Sequence, residues 1–236
     1  MCIPGTLPSK ICVSIASDDA SSILKNADRA FRLGADYVEV RFDFVNPDLL
    51  PNALQAAKKI KDRSIFTLRS KFQGGVFVGS ERDRLQWLYR FAEEEPMLLD
   101  VELDTLQKND DLADFLEEKR NPLLVSWHDF EKTPPADTLS DLLSEMRTYS
   151  NYVKIVTTAR SLDDSFRLLE LYETAIGLFP IFFAMGDAGV LSRILCTLIG
   201  NAPFTYASLE KAVAPGQLTV QQMKKLYQKI SSASKT

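Results

Sequence analysis

The chain has 236 residues, a length suited to one sizeable α/β domain. Hydrophobic residues make up 45% and charged residues 25%, an ordinary globular balance, and the formal net charge of -4 gives no ground for a polyanionic partner such as nucleic acid. No uncharged apolar run reaches the roughly 18 residues of a membrane span, residues 1–10 lack the apolar centre of a secretion signal, and Cys2, Cys12 and Cys196 have no disulfide spacing.

A reducing, cytoplasmic setting is therefore expected, with no membrane association. Cys12 and Cys196 sit in apolar runs and read as small buried hydrophobes. In chain order, short β-rich runs are predicted at 11–17, 37–44, 65–70, 98–103, 123–130, 152–158, 181–185 and 204–209. Helical patterns fall between them. The stretch 20–33 repeats Ile23, Leu24, Ala27, Ala30 and Phe31 at spacings of three and four. The stretches 84–95 and 162–176 do the same with Leu85, Leu88, Tyr89 and Ala92, and with Leu162, Phe166, Leu169 and Tyr172. Asp137, Ser161 and Thr219 are expected helix starts. The polar tail 231–236 is expected to fray.

Regular βα alternation implies a parallel sheet covered by helices, and eight units in this length imply closure. The predicted fold is α/β, a single (β/α)8 TIM barrel over about residues 10–230. A doubly wound open sheet is the competing arrangement, but its first turn is usually glycine-rich. Here that turn is Ala16-Ser17-Asp18-Asp19.

Barrel enzymes place their chemistry at the C-terminal strand ends. Polar residues there are Ser14, the trio Glu39, Arg41 and Asp43, Arg69, the pair Asp100 and Glu102, Ser126, His128, Lys154, and Arg193 after the seventh strand. Alternation puts Glu39, Arg41 and Asp43 on one strand face. Lys154 lies within Tyr152-Val153-Lys154-Ile155-Val156. It is either a lysine that snorkels out, or a desolvated amine able to attack a ketone. His128, the single histidine, is either structural or a proton shuttle. Arg41, Arg69 and Arg193 either pair with internal acids or clamp a carboxylate. The turn Ala184-Met185-Gly186-Asp187-Ala188-Gly189 could offer N–H groups to an anion. Gln73-Gly74-Gly75 and Ala214-Pro215-Gly216-Gln217 read as loops over the mouth. Neither metal-ligand spacing nor a phosphate or dinucleotide fingerprint occurs.

These pieces stand in one order: Glu39-Val40-Arg41-Phe42-Asp43, Thr67-Leu68-Arg69, Gly74-Gly75, Asp100-Val101-Glu102, Ser126-Trp127-His128-Asp129-Phe130, Thr133-Pro134, Val153-Lys154-Ile155, Ala184-Met185-Gly186 with Gly189 and Ser192-Arg193, and Ala214-Pro215-Gly216-Gln217. In that order they resemble the type I 3-dehydroquinate dehydratases, hydro-lyases of aromatic amino-acid biosynthesis through the shikimate pathway. The resemblance implies that Lys154 forms a Schiff base with the ketone of 3-dehydroquinate and that His128 acts as general base and acid. It implies substrate contacts from Ser14, Glu39, Arg41, Arg69, Arg193 and Gln217, with Arg193 on the carboxylate, and a lining that includes Gln73, Glu102 and Met185. It implies no metal and no organic cofactor. A homodimer, or fusion ahead of a shikimate dehydrogenase as in some organisms, is compatible with it. Two positions depart from the family pattern: Gln73 replaces a common glutamate, and Val213 an often-present serine. A carboxylate at position 73 would raise the pKa of His128, so with Gln73 the histidine is expected to lose its proton at lower pH. Two other readings are another Schiff-base barrel lyase, such as a class I aldolase, and an inactive barrel that binds a polyhydroxy acid.

Overall fold

The computed structural model describes residues 9–210 and 214–233; Cys2 and Val213 lie outside these described residues. In chain order the elements are β1 (Ile11–Ile15), α1 (Ala20–Arg32), β2 (Tyr37–Arg41), α2 (Leu50–Ala57), β3 (Ser64–Thr67), α3 (Glu81–Glu93), β4 (Leu98–Glu102), α4 (Leu103–Gln107), α5 (Asp110–Lys119), β5 (Leu123–His128), α6 (Ala136–Met146), β6 (Tyr152–Thr158), α7 (Leu162–Glu170), β7 (Phe179–Met185), α8 (Val190–Leu198), β8 (Thr205–Ser208) and α9 (Val220–Ala233). The eight strands form one parallel sheet in the order β7-β6-β5-β4-β3-β2-β1-β8. This is the expected (β/α)8 barrel, nearly closed.

Among the described residues β7 and β8 share no backbone ladder. Side chains and loops bridge that seam. The Phe183 and Tyr206 rings lie 5.9 Å apart, Thr205 Oγ1 donates to Arg193 O at 2.7 Å, and Gly186 N–H donates to Pro215 O at 3.2 Å.

Strand alternation decides what faces the barrel axis. Cys12, Ile65, Leu98, Leu124, Ile181 and Phe204 form a buried apolar cluster that plugs the lower interior. Outward positions such as Val40, Phe66, Val101, Val125, Ile155 and Phe182 pack against the helix layer. Each helix turns its apolar stripe to that surface. In α1 the stripe is Ile23, Ala27 and Ala30, and Asp19 caps the start by accepting from the Ser21 and Ser22 N–H groups. Cys12 and Cys196 are buried and free, as expected.

Element ends moved where chain chemistry competed with apolarity. Several ladders stop before the predicted run does: β1 at Ile15, β2 at Arg41, β3 at Thr67 and β5 at His128. The apolar signal continues because Phe42 and Leu68 still pack in the core after the chain has left the sheet. Asp43 therefore sits in a 3-10 turn rather than on the face of Glu39 and Arg41. Helix α3 starts earlier than predicted, at Glu81, through a reciprocal capping box between Ser80 and Asp83. Ser161 caps α7 similarly with Asp164, and Thr219 exchanges side chain–backbone bonds with Gln222 at the start of α9. Asp137 is not a cap; it lies in the first turn of α6, after Pro135. The predicted stretch 162–176 breaks into α7 and a 3-10 turn at Leu171–Thr174. Helix α9 holds its form through Ala233, into the tail expected to be irregular. No helix among the described residues is long and apolar enough to cross a membrane.

Candidate active site

Above the apolar plug the inward positions turn polar. A cavity opens there, lined by Ser14, Glu39, Arg41, Arg69, Gln73, His128, Lys154, Met185, Arg193 and Gln217. The structure thus gathers on one cavity every position that the resemblance implied except one, while the strand-end candidates Asp43, Asp100 and Ser126 lie outside its lining. Glu102 does not line it. Its carboxylate accepts from Arg69 Nη1, the Ser70 backbone N–H and Arg84 Nη1, at 3.0, 2.8 and 2.9 Å, which holds it beneath the loop after β3.

Lys154 reaches from β6 across the barrel. Its Nζ lies 2.5 Å from Asp100 Oδ2, 3.4 Å from Glu39 Oε1 and 3.4 Å from the Tyr206 hydroxyl. The side chain is 3% exposed, so it does not snorkel. The apolar strand around it suggested a merely desolvated amine; carboxylates from opposite strands meet it instead. Glu39 also accepts from Ser14 Oγ at 2.9 Å and Thr67 Oγ1 at 3.2 Å. Burial acts to raise the Glu39 carboxyl, but Lys154 and Arg41 outweigh it and hold it below the usual range. Burial likewise opposes the charge on Asp100, and Arg69 and Lys154 overcome it to leave that pKa lowered.

The three arginines divide the two uses left open. Arg41 is bidentate to Asp43, at 2.7 Å for each bond. Arg69 pairs with Asp100 at 2.7 Å and Glu102 at 3.0 Å, and donates to Ser126 Oγ at 2.7 Å. Arg193 has no acidic partner among the described residues. It is 2% exposed, its Nε lacks a hydrogen-bond partner, and its guanidinium stacks 4.3 Å from the Phe183 ring centroid. Burial pushes its pKa down to about 10, so it keeps its charge at neutral pH. Glu39, Asp100 and Glu102 are met by Lys154, Arg69 and Arg84, and Asp43 by Arg41. Arg193 is the cation left over within this network.

His128 ends β5, one strand from Lys154, with its ring partly open to the cavity. Burial among protein groups lowers its pKa well below the usual imidazole value, and Arg69 and Lys154 push the same way. The expected contact with Gln73 is present: Gln73 Oε1 lies 3.1 Å from Nδ1 and 3.0 Å from the His128 backbone nitrogen. Two glycines let that loop in. Gly74 has φ +79, and a Cβ there would meet the Phe130 ring at 2.2 Å; a Cβ on Gly75 would lie 1.9 Å from Arg69 O.

The turn after β7 uses two of its N–H groups within the protein. The Gly186 N–H donates to Pro215 O and the Gly189 N–H to Gly186 O, so both are occupied internally. That contact docks the 214–217 segment over the mouth, where Ala214 and Gln217 line the cavity. Sequence reasoning missed Tyr206 and the apolar wall of Phe44, Phe130, Val156 and Phe183. Tyr206 shares the alternation of Phe204 on its strand, which was the available signal. Among the described residues no group of three His, Cys, Asp or Glu is placed to hold a metal ion.

Removing Glu102 tests the network beneath the cavity. Glu102→Ala strands Arg69 and Arg84 with fewer partners and is expected to cost about 3 kcal/mol, the low end for breaking a buried pair. Urea denaturation measures it; a loss under about 1 kcal/mol would show that Asp100 and Glu81 suffice.

A family model described as type I 3-dehydroquinase matches residues 11–234. A 3-dehydroquinate dehydratase of Thermococcus gammatolerans is 40% identical over 194 residues, covering 81% of this chain and 86% of the relative. One of Dehalococcoides mccartyi is 35% identical over 235 residues, covering 97% and 99%. A crystal structure of 3-dehydroquinate dehydratase from Geobacillus kaustophilus superposes with a TM-score of 0.86 over 97% of this chain and 93% of that one, at 24% identity, which bears on the fold alone. With the match running from the first strand through the last helix, and relatives at this identity, the chain belongs to the type I 3-dehydroquinase family.

Proposed function

We propose that the cavity converts 3-dehydroquinate to 3-dehydroshikimate and water through a Schiff base on Lys154, as a step of the shikimate pathway. The observation that carries this reading is one cavity holding a buried lysine amine, a neutral-leaning histidine and an arginine with no acid partner among the described residues. The Lys154 ammonium first passes a proton to neutral His128; the freed amine adds to the substrate ketone, and the carbinolamine hydroxyl takes that proton back and leaves as water, giving an iminium. That nitrogen remains cationic, so Asp100 and Glu39, already placed at Lys154 Nζ, stabilise it without rearranging. The iminium makes the adjacent C–H acidic. His128 takes that proton, giving an enamine. The enamine expels the β-hydroxyl as His128 returns a proton to it, and water leaves. Hydrolysis of the product iminium frees Lys154.

Arg193 is suited to the substrate carboxylate, which would supply the counter-charge the network lacks, with Phe183 fixing the guanidinium plane. Ser14, Glu39, Arg41, Arg69 and Gln217 line the same cavity, which supports their assignment to substrate hydroxyls and orientation.

The test is incubation with 3-dehydroquinate, following ultraviolet absorbance of the enone product, with borohydride added in parallel. Turnover and a reduced adduct on the peptide containing Lys154 are expected. Absence of both would overturn the reading; an adduct elsewhere would overturn the assignment of Lys154. Arg193→Lys is expected to weaken substrate binding by about 1.5–3 kcal/mol, since the planar fork is lost while the charge stays. An unchanged substrate dissociation constant would remove Arg193 from the carboxylate site.

A further inference from the structure

The Gln73 side chain is clamped at both ends. Its Oε1 accepts from the His128 backbone N–H at 3.0 Å and lies 3.1 Å from His128 Nδ1. Its Nε2 donates to Asp104 Oδ1 at 2.5 Å. A peptide N–H only donates and a carboxylate only accepts, so each end of the amide meets a partner that allows a single orientation. With Oε1 held toward the imidazole as an acceptor, Nδ1 completes the contact by donating.

We propose that Asp104, acting through Gln73, is a positioning residue that fixes neutral His128 as its Nδ1–H tautomer and leaves Nε2 as the basic nitrogen. The proposal rests on the reading of His128 as the base of the reaction, although the tautomer is observable without turnover. Gln73 is 6% exposed, so its contacts with His128 are shielded from water, while the Asp104 side chain, 32% exposed, anchors the amide from the solvent side. Asp104 stands in the first turn of α4, directly after β4, and its other contact is Lys108 at 3.5 Å. The pair also explains a neutral amide at position 73. A carboxylate there would accept equally well from His128, but it would face Asp104 at hydrogen-bond distance with like charge. The amide keeps the acceptor beside the ring and moves the negative charge one residue outward.

The single histidine makes the test direct. The 15N spectrum of histidine-labelled free enzyme, at a pH where the ring is neutral, distinguishes the two tautomers without assignment. The wild type is expected to be dominated by Nδ1–H. Asp104→Ala should move the pattern toward a tautomer mixture and lower kcat roughly tenfold, the low end for partners that orient a functional imidazole, with KM little changed. Gln73→Glu should perturb the spectrum by forcing two carboxylates together. Adding Asp104→Asn to it should restore both the Nδ1–H signature and kcat, because an amide donor then faces the carboxylate. A purely structural pair would show no such reciprocal rescue. An Nε2–H wild type, or an Asp104→Ala spectrum identical to wild type, overturns the proposal. A tautomer that shifts without any change in kcat supports the clamp and instead overturns the role of His128 as the base.

Discussion

Lys154→Ala is expected to abolish borohydride trapping and to lower kcat by roughly 10⁴-fold or more, the scale reached when a covalent nucleophile is removed. No other lysine lines the cavity among the described residues, so none is placed to take over. The substitution also removes the shared cation of Asp100 and Glu39, which lie against its Nζ. Loss of stability is therefore expected alongside loss of chemistry, and the two must be separated. Lys154→Met keeps the volume without the amine; circular dichroism and a denaturation midpoint show whether the barrel stands. A folded variant that still forms the reduced adduct with 3-dehydroquinate would exclude Lys154 as the nucleophile.

His128→Ala is expected to cost about 10²–10⁴-fold in kcat, the contribution of a positioned acid–base group. Trapping should persist at a reduced rate, because Lys154 can still form the iminium while the following proton abstraction fails. Single-turnover kinetics with and without borohydride separates the two steps. Equal losses in trapping and turnover would place His128 in Schiff-base formation alone.

The same residue predicts a pH dependence. Burial holds the folded-state pKa of His128 well below the ordinary value near 6.5, with Arg69 and Lys154 adding to the effect. The folded ring thus stays neutral below pH 6.5, where the unfolded ring takes up a proton. Between those two values the unfolded state binds more protons, so stability falls as pH falls. His128's contribution is complete above about pH 6.5 and declines until the folded ring itself protonates. The acid limb of kcat/KM should accordingly lie well below pH 6.5, and NMR titration of the one histidine should place its midpoint there too. A midpoint at or above 6.5 in the free enzyme would contradict the electrostatic picture of the site.

The sequence by itself determined the barrel, because alternation of eight apolar runs with amphipathic stretches leaves few ways to bury both. It also marked the site. A lysine, a histidine, acids and arginines inside strands that otherwise demand burial are costly there unless paired or used, and that conflict is readable in one dimension. Gln217, by contrast, read from the sequence only as part of a loop over the mouth, and its role as a substrate contact came through the family resemblance, since a glutamine in a loop raises no such conflict. What the tertiary structure alone decided was who meets whom. Lys154 and Glu39 are 115 residues apart, and Gln73 and His128 are 55 apart. Their contacts depend on which strands face each other across a closed barrel and on where a loop folds back over the rim. The same holds for Glu102, which the sequence offered to the cavity and which Arg69 and Arg84 hold beneath it. Arg193 shows the difference most plainly: the sequence supplied an arginine, but only the finished network of paired charges left it without an acid among the described residues. A polar residue's burial follows from its own strand, whereas its partner follows from the closure of all eight.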